Sequence, residues 1–231
     1  MPRRARHYQA ESVYHVYQRG NNKQAVFRDT RDFLYYLFLW QDVSARYKLR
    51  VHAFCLMTNH IHFLVTPSVE TSISSTMRVV GSSYAGFINK KYERTGTLWE
   101  GRHGASLVQT SLYFLKCHRY IEQNPVRANM VRRPQDYRWS SFGENAFGDE
   151  GWLTPHPQYL ALGETSGERQ AKYRELLNGN LSDDDLDLIR KAMHYCQPVA
   201  DEAFKRELKE EHGLEIGHMK RGRPPKNKGT E

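Results

Sequence analysis

Hydrophobic and polar positions change period several times along the chain, and the changes mark out its elements. Residues 12–19 (S-V-Y-H-V-Y-Q-R) are β-branched and aromatic with rough alternation, the mark of a strand, and Gly20-Asn21-Asn22 ends it. From Thr30 to Lys48 the period lengthens: Phe33, Leu37 and Trp40 recur at helical spacing, with Asp29 or Thr30 available as a cap. Residues 50–56 and 60–66 return to strand composition, and Thr58-Asn59 between them is short enough to fold them into a hairpin. Ile73, Met77, Val80, Tyr84 and Phe87 mark a second helix, which Gly96 can terminate, and residues 105–109 read as a short strand.

The order strand, helix, strand, strand, helix, strand predicts an α+β fold of the ferredoxin-like or RRM-like kind. Its antiparallel sheet carries helices on one face and leaves the other free. A further helix over residues 111–124 should stop at Asn124, because Pro125 disfavours helical geometry there. Along it Tyr113, Cys117, Tyr120 and Asn124 fall on one stripe, and Asn124 is a polar partner that a purely apolar stripe would not choose.

Residues 137–142 (Y-R-W-S-S-F) are aromatic enough to pack back on this domain, and the glycine- and acid-rich residues 143–151 suggest a boundary. The expected division is a domain over 1–145, a helical extension over 146–217 and a basic tail over 218–231. Within the extension, residues 168–177, 183–195 and 200–212 read as helices, with Ser182 capping the second. The last two, joined by Cys196-Gln197-Pro198, have the spacing of a helix-turn-helix, although such pairs usually serve packing alone. In the tail, Arg221-Gly222-Arg223-Pro224 matches the core of an AT-hook, in which Arg221 and Arg223 enter an A·T minor groove; a merely basic, unfolded tail is the competing reading.

Composition narrows the partners. A formal charge of +8 and a pI near 9.4 favour a polyanion. The 3 cysteines are isolated, with neither zinc spacing nor an even number for a disulfide framework, which suits a reducing compartment. Without an apolar run of spanning length, the expected setting is cytoplasmic, away from membranes.

The candidate chemistry starts at Met57-Thr58-Asn59-His60-Ile61-His62-Phe63-Leu64-Val65. On a strand His60 and His62 point one way and Ile61 and Phe63 the other, so two imidazoles sit side by side over an apolar backing. Such a pair needs one further ligand to hold a cation, although His-x-His pairs also arise by chance.

Together with Tyr120-Ile121-Glu122-Gln123-Asn124-Pro125-Val126-Arg127, the histidine block makes the chain resemble the single-tyrosine HUH transposases, and within them the REP-associated tyrosine transposases. Supporting blocks are Tyr14-His15-Val16-Tyr17-Gln18-Arg19-Gly20-Asn21 and Leu98-Trp99-Glu100-Gly101-Arg102, and the resemblance covers roughly residues 8–145. It departs at Thr58, where the family usually has proline, and at Glu11-Ser12-Val13-Tyr14, where REP-associated members carry Gly-Thr-x-Tyr.

The resemblance implies that His60 and His62 are metal ligands, that Asn124 completes the coordination and that Tyr120 is the nucleophile. It also implies cleavage of single-stranded DNA beside hairpins, with a 5′-phosphotyrosine link and a free 3′-OH. Two imidazoles bias the cation toward Mn2+, and abundance favours Mg2+. Arg19, Arg102, Lys116, Arg119 and Arg127 flank the motifs and are candidates to line a DNA groove, with Trp99 available to stack on a base. His118 should face away from the site, and His15 is left unassigned on a neighbouring strand. The expected partner is single-stranded or hairpin DNA, with REP-like repeats as one source, bound by a nucleoid-associated monomer or homodimer. The alternatives are a noncatalytic hairpin-binding protein and a replication-initiator or relaxase-type nuclease.

Overall fold

The computed structural model describes residues 8–212, so Arg221, Arg223 and the rest of the expected tail lie outside the described residues. Strands β1 (Tyr14–Arg19), β2 (Leu49–Met57), β3 (His60–Pro67) and β4 (Gly104–Leu107) form one antiparallel sheet in the order β2-β3-β1-β4. Helices α1 (Thr30–Arg46) and α2 (Ser72–Lys91) make the two crossovers, which gives the expected ferredoxin-like arrangement.

Strand alternation sorts the side chains. Val16, Phe54, Leu56, Ile61, Phe63 and Val65 pack with Tyr36, Trp40, Ile73, Val80 and Tyr84 of α1 and α2. Trp40 and Phe63 stack with ring centroids 3.6 Å apart, so the strand that carries the histidines is clamped from behind by an aromatic pair. Helix α1 begins at a capping box in which Asp29 accepts from the Arg31 and Asp32 amides and Asp32 answers toward the cap. Helix α2 stops at Lys91, before Gly96. Its last turn closes through Tyr92 donating to Ile88, while Gly96 sits in the loop beyond at φ 84°.

The opposite sheet face is less open than expected. Helix α3 (Thr110–Glu122) lays Phe114, Cys117, Tyr120 and Ile121 against Ala53, Cys55, Met57 and Leu64. After a break at Gln123 the chain re-enters a short helix, α4 (Asn124–Arg127), with Pro125 in its first turn, where a missing N–H costs nothing. The residues that follow do pack back: Ser140 bridges Cys55, Leu56 donates to Trp139, and Trp139 stacks on Phe33 at 4.4 Å. This segment covers the outer edge of β2.

Residues 143–151 contain most of α5 (Phe142–Phe147) and a loop, just beyond which the Trp152 and Leu153 amides donate to Glu144. Short α6 (Pro157–Leu160) and α7 (Ser166–Asn178) follow, and α7 is tied to the end of α3 by Glu122 and Gln123. Glu122 is fully buried and accepts from Ser141 (2.5 Å), Asn145 (2.9 Å) and Tyr173 (2.7 Å). Gln123 donates to the Leu177 and Gly179 carbonyls at the end of α7. Helix α8 (Asp183–Tyr195) is capped by Ser182 as expected and packs beside β4, and α9 (Glu202–His212) buries Leu208 in the main core. With Ile189 and Ala192 buried as well, the α8–α9 pair spends its apolar faces on packing. Among the described residues no helix is long and apolar enough to cross a membrane.

Truncating the clamp tests this backing: Phe63→Ala lowers stability by about 3–5 kcal/mol in urea titrations. A loss under about 1 kcal/mol would show that the Trp40–Phe63 stack does not hold β3.

Candidate active site

The site is assembled by register. Across β1 and β3, Arg19 faces His60, Tyr17 faces His62 and His15 faces Leu64, all on the face turned toward α3. On the far side of β1, Gly104 pairs with Tyr17, and a Cβ there would lie 2.0 Å from the tyrosine ring, so glycine lets that ring lie flat across β4. A cavity of about 840 Å³ opens at this end of the sheet, and His60, His62, Tyr120, Asn124, Arg19 and Arg102 all line it.

Asn59 fixes the orientation of His60. Its Nδ2 donates to the Lys23 carbonyl at 3.0 Å, which turns Oδ1 toward His60 Nδ1 at 2.6 Å. His60 Nδ1 must therefore carry the proton, and the lone pair is left on Nε2. The second imidazole is held differently: His62 Nδ1 lies 3.0 Å from His15 Nε2, in a pair fully enclosed by the sheet and α3. When His62 donates in that contact, its Nε2 is likewise free to ligate. Burial and the neighbouring Arg19 hold the His60 pKa down to about 4, and burial with the adjacent imidazoles and Arg127 lowers that of His62 well below its ordinary value. Both rings are thus neutral near pH 7, the form a metal requires.

Tyr120 reaches the same place from α3. Its ring meets His15 edge-on at 5.8 Å and His62 at 5.9 Å between centroids, and at 7% exposure it is enclosed but still part of the cavity wall. Arg127 lies over the ring at 4.3 Å and donates to the Tyr120 carbonyl. Burial raises the phenol pKa above its usual value, while Arg127 and Arg190 oppose that rise. One turn beyond, Asn124 leaves its buried Nδ2 without a hydrogen-bond partner.

Other sequence candidates lie elsewhere. Trp99 is buried in the core with its indole donating to Gly81 at 3.1 Å, so its ring is not presented to a base. Lys116 is paired with Asp185 of α8 at 2.8 Å, and Arg119 is directed at Gly179 beyond α7; neither lines the cavity. Arg19 lines it while paired to Glu100 at 2.6 Å. His118, as expected, turns away: its Nδ1 bonds to the Tyr173 hydroxyl at 2.9 Å in the α3–α7 interface. Two contributors were not assigned from the sequence. His15 could have been placed by its position opposite the histidine strand, whereas Arg190 on α8 carries no local signal.

Residues 8–124, slightly more than half of the chain, match the model of the family described as transposase IS200 like, and the chain belongs to that family. This places it among transposases that act on DNA. Of solved structures, that of a REP-associated tyrosine transposase bound to a REP hairpin is similar in fold, with 17% identity, a TM-score of 0.55, and coverage of 68% of this chain and 92% of that one. A transposase structure from Deinococcus radiodurans also aligns, with 17% identity, a TM-score of 0.35, and coverage of 53% and 97%. No curated protein matches the chain.

The tautomer assignment has a direct readout. Long-range 1H–15N spectra at pH 6 should show His60 neutral with its proton on Nδ1, because a pKa lowered from 6.5 to about 4 keeps the ring uncharged until the pH falls below that value. A charged ring at pH 6, or one protonated on Nε2, would contradict the site as described.

Proposed function

We propose that this protein is a metal-dependent single-stranded DNA endonuclease and strand transferase acting beside hairpins, with Tyr120 as nucleophile. The observation that carries the reading is the convergence of Tyr120 with His60 and His62 on one cavity. The similarity in fold to a transposase that binds a REP hairpin makes hairpin DNA the substrate to try first.

The donor set fits a divalent cation. His60 and His62 line the cavity as neutral rings, His60 with its lone pair on Nε2, and the buried, unpartnered Asn124 amide is the third candidate, its oxygen turned inward on binding. Among the described residues no three His, Cys, Asp or Glu side chains are grouped to hold a metal, so an amide oxygen in the third place is what this chain can offer. That mixture suits Mn2+ or Mg2+, and when bound the cation polarises the scissile phosphate and stabilises charge on its oxygens.

The rest of the reaction belongs to the chain. A Tyr120 oxygen lone pair forms the new O–P bond while the P–O3′ bond breaks. The phenol proton goes to water, and the departing O3′ takes a proton from water to become a free 3′-OH. One phosphodiester replaces another, so the 5′-phosphotyrosine link retains the bond energy for transfer to a second 3′-OH. Arg127, stacked on the phenol ring and bonded to the backbone beneath it, holds the attacking oxygen in place. By accepting from His62 Nδ1, His15 would keep the second imidazole in the tautomer a cation needs.

Incubation with Mn2+ and single-stranded hairpin oligonucleotides from inverted repeats flanking the coding region should give a denaturant-resistant protein–DNA band. Tyr120→Phe should abolish that band while leaving the mobility shift of bound DNA within about twofold. A shift without any covalent band in the wild-type protein would instead support the noncatalytic hairpin-binding reading.

A further inference from the structure

Arg190 projects from α8, well beyond residue 124 where the family match ends, yet it lines the same cavity as Tyr120, His60 and His62. We propose that Arg190 is a phosphate-binding residue of the active site, its guanidinium holding a non-bridging oxygen of the phosphate that Tyr120 attacks, so that α8 completes the catalytic centre. The proposal rests on the transposase reading and adds a residue to it.

Three observations support the assignment. The first is rigidity, because α8 is fastened on two sides. Ser106 of β4 donates to the Ala192 carbonyl at 3.0 Å, and Lys116 of α3 pairs with Asp185 at 2.8 Å. Just past the helix, Val199 donates to Leu107 at 2.7 Å and accepts from Gln109 at 3.0 Å, a short parallel bridge that continues the sheet beside β4. Arg190 is therefore carried by a fixed element of the fold.

The second is spare donor capacity. The carboxylate near Arg190 is Asp187, one turn away at 3.9 Å, and both side chains are more than half exposed, so the ion pair leaves most of the guanidinium fork available. Arg127, by contrast, is committed to the Tyr120 ring and carbonyl.

The third is the convergence of like charges. Arg127 and Arg190 both favour the ionised form of Tyr120 against the burial that opposes it, and Arg190 also disfavours the charged form of Arg127. Positive charge gathered beside a neutral phenol is offset once an anion joins it, and a phosphodiester held by Arg190 in the cavity is the anion this site would take. Arg190 and Tyr120 line the same cavity, so a phosphate that enters it to reach the phenol also meets the guanidinium charge.

Single-turnover rates of adduct formation, measured with Mn2+ and a saturating hairpin oligonucleotide, test the assignment. Arg190→Ala should slow the step by about 10²-fold, the effect of removing one donor from a developing anion, with the DNA dissociation constant changed by no more than about threefold. Arg190→Lys should recover about tenfold of that loss by restoring a charge, which a purely structural defect would not allow. Equal rates for wild type and Arg190→Ala, or a lysine variant as slow as the alanine one, would overturn the proposal. If the wild-type protein forms no adduct, the transposase reading fails and takes this proposal with it; if the wild type forms one and the alanine variant matches it, only the role of Arg190 falls.

Discussion

The antiparallel pairing of β1 with β3 is the constraint on which the site depends. Because side chains alternate along a strand, one register puts His15, Tyr17 and Arg19 opposite Leu64, His62 and His60 on a single face, and a slip of one residue would send the imidazoles into the Trp40–Phe63 core. The apolar residues between the histidines make that slip costly: Ile61 and Phe63 are fully buried against α1 and α2 and cannot exchange places with polar rings. Burial on one face thus positions polar chemistry on the other.

The motif around Tyr120 joins chemistry to architecture in consecutive residues. Tyr120 and Asn124 face the cavity, whereas Glu122 and Gln123 between them anchor α5 and α7 through buried hydrogen bonds. The Glu122 carboxyl, with a pKa raised by burial to about 7, is stabilised by three donors and fixes where α3 stops. Helix α3, which carries Tyr120, is thereby held from its back by the C-terminal helices, while α8 closes the side of the cavity next to β4.

Much of the fold was legible because its signals are local. The strand and helix periods, the Thr58-Asn59 turn and the Ser182 cap each depend on a few neighbouring residues, and they appear where the pattern puts them. The convergence of His60, His62 and Tyr120 was legible through ordered motifs, since their separation along the chain hides their proximity in space. What escaped was long-range. Trp99 looked like a stacking platform because nothing in Leu98-Trp99-Glu100 announces a hydrogen bond to Gly81, and Lys116 looked like a DNA contact because its partner Asp185 lies on a distant helix. The covering of the second sheet face by α3 and α8 is likewise a tertiary outcome that no single stretch encodes.

The proposed chemistry requires the cavity to be a cation site within reach of the phenol. Anomalous diffraction from crystals soaked in Mn2+ measures this most directly. One strong peak is expected, bonded to His60 Nε2 and His62 Nε2, with the Asn124 side chain in the third position and the Tyr120 hydroxyl facing the remaining open side. Manganese bound elsewhere, or a peak at the histidines with Tyr120 turned away into the interior, would contradict it.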